Sequence, residues 1–130
     1  MANEITITGS LVLNRSTDPK FSESMKFSGV QLDQDGSDYM SGSQVVDHTA
    51  GEANLAKGNI TDVGWFILKN LNTDVTHILG VGGVTNQRWL KVPGGFCVGP
   101  IYLGAGITEV KVIVDGGSTN INVEYLLVEN

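Results

Sequence analysis

The sequence predicts an all-β fold, a single-domain antiparallel β-sandwich of jelly-roll or related Greek-key topology spanning residues 1–130. Three observations predict it. Short apolar segments recur at roughly 8- to 12-residue spacing, as in sandwiches and barrels. Seventeen glycines are spread through 130 residues and punctuate those segments as turns. No stretch sustains the 3.6-residue apolar period of a packed helix.

Taken in order, Glu4 to Leu13 (EITITGSLVL) alternates polar and apolar residues at period two, the pattern of a half-buried strand. The run NRSTDPK, Asn14 to Lys20, carries turn chemistry. Ser24 to Leu32 follows as a second strand. Strict alternation there places Met25, Phe27, Gly29 and Gln31 on one face and Lys26, Ser28, Val30 and Leu32 on the other, so neither face is cleanly apolar. Asp33 to Asp38 is a polar turn. Tyr39 to Asp47 is a third strand, and its Ser41-Gly42-Ser43 centre invites a bulge. His48 to Gly58 suits a loop or a short helix equally, since about three turns are marginal alone.

From Lys57 to Gly95 three apolar segments, Gly64 to Leu71, Val75 to Val81 and Arg88 to Val92, are separated by the Asn-rich turn at Asn70 to Asp74 and by glycines, then stopped by Pro93-Gly94-Gly95. They are expected to pair as a meander and to bury one shared face. Phe96 to Leu103, Glu109 to Val114 and Asn120 to Val128 complete the set. Gly104-Ala105-Gly106 and Asp115-Gly116-Gly117 separate them.

At 13.8 kDa, with 41% apolar and 17% charged residues, the chain is the size of one folded domain. A net charge of −6 and only eight scattered Lys and Arg residues argue against nucleic-acid binding, which needs clustered cations facing phosphates. No apolar run approaches the ~20 residues of a membrane-spanning helix, and the start of the chain lacks a secretory pattern. Synthesis and folding in a cytoplasm are expected. The single Cys97 rules out an internal disulfide.

No catalytic constellation is legible. His48 and His77 have no nucleophile and carboxylate at a recognisable spacing, and Asp47 beside His48 would face the other way in an extended strand. Cys97, between Phe96 and Val98 with no basic neighbour, reads as a buried, inert thiol. Asp33, Asp35 and Asp38 around Gly36 offer oxygen ligands to calcium only as a weak alternative to a solvated turn, because the distant bidentate glutamate of an EF-hand loop is missing. The glycine-rich runs Gly80 to Gly83 and Pro93 to Gly95 lack a Walker lysine and hydroxyl pair and open no helix. No cofactor or zinc site is expected.

The two tryptophans have different neighbours. Trp65, beside Phe66 and Ile67, reads as a core or interface residue. Trp89, flanked by Arg88 and Lys91, is the better exposed contact. Arg88, Trp89, Lys91 and Tyr102 are therefore the interface candidates, with sugar stacking as the competing use of the aromatic rings.

The run Gly64-Trp65-Phe66-Ile67-Leu68-Lys69-Asn70-Leu71-Asn72, followed by Ile78-Leu79-Gly80, Leu90-Lys91-Val92-Pro93-Gly94-Gly95 and the ending Val123-Glu124-Tyr125-Leu126-Leu127-Val128, resembles small virion proteins of tailed bacteriophages. The resemblance covers the C-terminal half, and Val92 lengthens one of the turns relative to that pattern. It implies a non-enzymatic capsid decoration (cement) protein, a β-sandwich assembling as a homotrimer on the major capsid protein. Such a protein is made in the bacterial host cytoplasm and resides in the virion. The alternative expectation is a tail or fibre component that binds a host-surface glycan.

Overall fold

The computed structural model describes residues 5–15, 21–32, 38–104 and 106–130. Every regular element among them is a strand: β1 (Ile5–Arg15), β2 (Phe21–Leu32), β3 (Tyr39–Val46), β4 (Ala53–Asn54), β5 (Val63–Asn70), β6 (Ile78–Gly82), β7 (Leu90–Val92), β8 (Cys97–Tyr102), β9 (Lys111–Gly116) and β10 (Ile121–Glu129). The segment that accepted a loop or a helix is irregular and contains only the two-residue β4. The chain forms two compact units, Met1–Gln34 and Asp35–Asn130.

The first unit is an antiparallel two-stranded ribbon, β1 with β2. Its register changes the reading of β2. Ile7 pairs with Val30 and Gly9 with Phe27, so β1 advances two residues while β2 advances three. The extra residue is a bulge near Ser28 and Gly29, and it reverses the alternation of the strand beyond it. The expectation of two mixed faces concerns β2 side chains, which lie outside the described residues.

The second unit is an antiparallel β-sandwich. One sheet has the order β3-β10-β5-β8 and the other β4-β9-β6-β7. The inner faces supply a continuous core: Val46, Phe66, Leu68, Ile121, Val123, Tyr125 and Leu127 from the first sheet, Leu79, Val81, Val92 and Val112 from the second. Leu55, Ile60, Val63 and Val110 extend it. Period-two alternation selects these residues, since Phe66, Leu68 and Asn70 in β5 point inward and Val123, Tyr125 and Leu127 in β10 do the same.

The three segments between Lys57 and Gly95 do not form a meander. β5 lies between β10 and β8, with residues Val63 to Asn70 in register with β10 on one side and Trp65 to Lys69 with β8 on the other. Both of its hydrogen-bonding edges are occupied, so β6 crosses to the opposite sheet and pairs with β7 and β9. Asn70 anchors that crossover. It is wholly buried, the one buried polar residue of the described core, and each of its polar groups is satisfied. Its backbone N–H donates to Phe96 O (3.0 Å) and its carbonyl accepts from Gly95 N (3.0 Å). Its side-chain oxygen accepts from Asn72 N (3.1 Å), and Nδ2 donates to His77 O and Val92 O, both at 2.9 Å. One amide thus ties the end of β5 to the opposite sheet, and Asp74 turns the crossover by accepting from the Thr76 N–H (2.9 Å) and hydroxyl (2.8 Å).

Two further expectations change. The Ser41-Gly42-Ser43 centre of β3 is not bulged, because its pairing with β10 runs unbroken from Val46 to Tyr39. Gly42 lies directly opposite Tyr125, where a Cβ would make only ordinary contact with the Tyr125 oxygen at 3.5 Å. The bulge falls in β8: Phe66 pairs with Ile101 and Leu68 with Val98, so Gly99-Pro100 carries one extra residue on an edge strand. Val98 and Ile101 face inward as a result, while Cys97 and Tyr102 face outward.

Replacing Asn70 with Ala removes the donors to His77 O and to the buried Val92 O and is expected to cost about 3 kcal/mol in urea denaturation. Asn72→Ala, which removes only an exposed 3.5 Å contact to Asn120 O, is expected to cost under about 0.5 kcal/mol. A pH effect follows from Tyr125, whose hydroxyl donates to Ala56 O (2.9 Å) and whose burial raises its pKa above 10.0. Above that value the unfolded chain loses this proton while the folded chain keeps it, so stability falls as pH rises. Tyr125→Phe is expected to lose about 1 kcal/mol at neutral pH and to flatten the alkaline decline in thermal melts.

Candidate functional site

The outer face of the β3-β10-β5-β8 sheet presents exposed aromatic side chains, Tyr39 and Tyr102, to solvent. Residues directly opposite in neighbouring strands share a face, so the register defines transverse rows. The first row is Tyr39–Val128–Trp65–Tyr102, the second Ser41–Leu126–Ile67, and the third Ser43–Glu124–Lys69–Cys97. Tyr39 is 71% exposed and Tyr102 53%, and they bracket Val128 and the half-buried Trp65. The Trp65 and Tyr102 rings lie 4.8 Å apart at 39°, a tilted stack, and the Tyr102 hydroxyl donates to Asn130 Oδ1 at 2.9 Å. Beside this row is a shallow open depression of about 330 Å³ between Ser41, Ile67, Lys69, Cys97 and Leu126.

Trp65 is therefore not a core residue. Its neighbours Phe66 and Leu68 fill the core, and the alternation of β5 turns Trp65 out. Cys97 is not a buried thiol either. It is exposed, because the phase of β8 places it outward beside Lys69.

The four interface candidates occupy two separate places. Tyr102 belongs to the aromatic row. Arg88, Trp89 and Lys91 lie at the end of the β6–β7 hairpin in the other sheet, where Lys91 Nζ is 3.0 Å from Asp115 Oδ2 and Arg88 Nε 3.8 Å from Asp115 Oδ1. That carboxylate neutralises part of their positive charge. Trp89 is 42% exposed and packs against Gly83, where a Cβ would run into its six-membered ring. Its backbone N–H donates to Val81 O at 2.8 Å, fixing the hairpin under the ring.

Among the described residues, the histidines lie beside an asparagine and two turn aspartates. His48 Nδ1 is 2.9 Å from Asn120 Oδ1 and 3.9 Å from Asp47 Oδ1, while His77 Nδ1 is 3.7 Å from Asp74 Oδ2. Asp47 and Asp74 each accept from the backbone N–H and the hydroxyl of the residue two positions on, which holds both carboxyls below their ordinary range. These are turn-forming carboxylates. Among the described residues no three His, Cys, Asp or Glu side chains converge on a metal position. Asp33 and Asp35 lie outside the described residues, and the Asp38 N–H donates to Glu129 Oε2 at 3.3 Å. No family of known proteins, no curated protein and no solved structure matches this chain.

The aromatic row carried little signal in the sequence. Tyr39, Trp65, Tyr102 and Val128 are far apart in the chain, and Tyr102 reaches the outer face only through the β8 bulge. The exposure of Cys97 is directly measurable. A chromogenic disulfide reagent added to the native protein is expected to titrate one thiol per chain without denaturant, whereas no reaction until unfolding would place Cys97 in the interior.

Proposed function

We propose that this protein is a non-enzymatic virion structural protein of a tailed bacteriophage, a decoration (cement) protein that binds the major capsid protein of the head lattice as a homo-oligomer, most simply a trimer. The outer-face row Tyr39–Val128–Trp65–Tyr102 carries this reading. Two exposed tyrosines flanking the buried Val128 and half-buried Trp65 on a rigid sheet suit a protein contact, because aromatic anchors contribute most of the energy of an interface. Repetition over a lattice then multiplies modest individual contacts.

The strand order adds support. β3-β10-β5-β8 facing β4-β9-β6-β7 changes sheet at every connection except the β6–β7 hairpin, and that wrapping supports a jelly-roll reading of the sandwich. The phage-like runs through β5, β7 and β10 support the virion setting, and the host cytoplasm is then the place of synthesis. A tail or fibre protein that binds a host glycan is the second reading, favoured by the stacked Trp65–Tyr102 platform beside the Asn130 amide.

Quantitative mass spectrometry of purified virions tests the first reading. It predicts copies on the scale of the head lattice, and only a few per particle would rule out a capsid-wide role. Tyr102→Asp is expected to weaken head binding by about 2 kcal/mol, roughly thirtyfold, with the thermal melt little changed. Unchanged head occupancy together with lost adsorption to host cells would favour the glycan reading.

A further inference from the structure

Asn54 closes β4 and Lys111 opens β9, and the antiparallel register sets them directly opposite each other, on one face of their sheet. Val110 and Val112 are buried in the core, so the alternation of this segment turns Glu109 and Lys111 to the outer face. Three side chains meet there. Lys111 Nζ donates to Asn54 Oδ1 at 2.9 Å and lies 3.2 Å from Glu109 Oε2. The Lys111 side chain is only 18% exposed, so its amine is held among these groups instead of extending into water. Lys57 Nζ donates to a backbone carbonyl, that of Thr61, and Lys91 Nζ meets only the Asp115 carboxylate. Among the described residues, Lys111 is the lysine whose amine touches a carboxamide and a carboxylate together.

An amine, a carboxamide and a carboxylate in contact are the parts of an intramolecular transamidation: a nucleophile, an electrophilic carbon bearing a nitrogen leaving group, and a base. We propose that Lys111 and Asn54 join in an isopeptide bond within the chain, with Glu109 carrying the protons. Glu109 takes a proton from the Lys111 ammonium. Rotation of the Asn54 carboxamide about its last dihedral turns Cγ, one bond beyond Oδ1, toward the free amine. The Nζ–Cγ bond forms and the Cγ–Nδ2 bond breaks. The two protons that Nζ gives up pass to the departing nitrogen, which leaves as ammonium. Nothing is oxidised or reduced, and no co-reactant enters. The strand register holds the reactants together, which removes the entropic part of the barrier.

The bond fastens the shortest strand of the sandwich. β4 has two residues, and its ladder to β9 is Ala53 with Val112 and Asn54 with Lys111. A covalent link there closes a long loop of a chain whose single cysteine allows no internal disulfide. The inference goes beyond the virion role and does not depend on it.

Intact-mass spectrometry of the purified full chain, unfolded in acid, is the test. The main species is expected to be lighter than the sequence mass by one ammonia, about 17 Da. Trypsin is expected to leave a branched peptide joining the segments around Asn54 and Lys111, uncleaved after Lys111. Lys111→Arg, Asn54→Ala and Glu109→Gln are each expected to restore the full sequence mass. Lys111→Arg keeps the positive charge, and without the link its melting temperature is expected to fall by about 10 °C. A wild type at full sequence mass overturns the proposal whatever the variants do. So does an ammonia loss without the branched peptide, or one that persists in Lys111→Arg. Cross-linking of Glu109→Gln to the wild-type extent overturns the role given to Glu109. No capsid or host enters the assay, so its outcome is separate from that of head binding.

Discussion

The sandwich depends on a single buried amide. Asn70 ends a strand whose two edges are both occupied, at the point where the chain leaves one sheet for the other. A backbone making that crossing exposes carbonyls that the inter-sheet space cannot hydrate, and burying them unpaired costs a large fraction of a domain's net stability. The Asn70 side chain supplies two donors to two of them, His77 O before β6 and Val92 O at the end of β7, while its oxygen closes its own turn through Asn72. An aspartate would offer only acceptors, and a leucine nothing. The position of β6 relative to β5, and hence the enclosure of Phe66, Leu68, Leu79 and Val81, follows from this one residue.

Around that anchor, a bulge in β8 decides which residues meet solvent. The extra residue at Gly99-Pro100 reverses the parity of the strand and turns Tyr102 outward to stack on Trp65, after Val98 and Ile101 have contributed to the interior. At the Arg88–Asp115–Lys91 cluster, the one Asp115 carboxylate offsets part of the charge of Arg88 and Lys91, and Trp89 and Lys91 are the exposed side chains of that corner.

Much of the fold was legible because glycine and polar turns bound nearly every strand, and because Phe66, Leu68 and Asn70 in β5 and Val123, Tyr125 and Leu127 in β10 fall at alternate positions. The sheet partners were not legible. Pairing order depends on which edges are already filled, a non-local property, so β6 looked like a neighbour of β5. Asn70 looked like an ordinary turn residue, since an asparagine at a strand end has the same local signature whether it meets water or bridges two sheets. The β8 bulge and the outward Cys97 were hidden because alternation was projected from an apolar run without a phase marker. Of the interface candidates, Arg88, Trp89 and Lys91 are adjacent in sequence and remain together, whereas Tyr39 and Val128 join Tyr102 only through long-range register.

Hydrogen exchange of the Asn70 carboxamide protons, followed by nuclear magnetic resonance, tests the anchoring role most directly. If both protons bridge the sheets, they resolve as two separate slow resonances that exchange only with global unfolding, as the core amides of β5 and β10 do. Exchange as fast as that of the carboxamides of Asn72 and Asn120 would show the side chain open to water, and would remove Asn70 as the constraint that holds the two sheets in place.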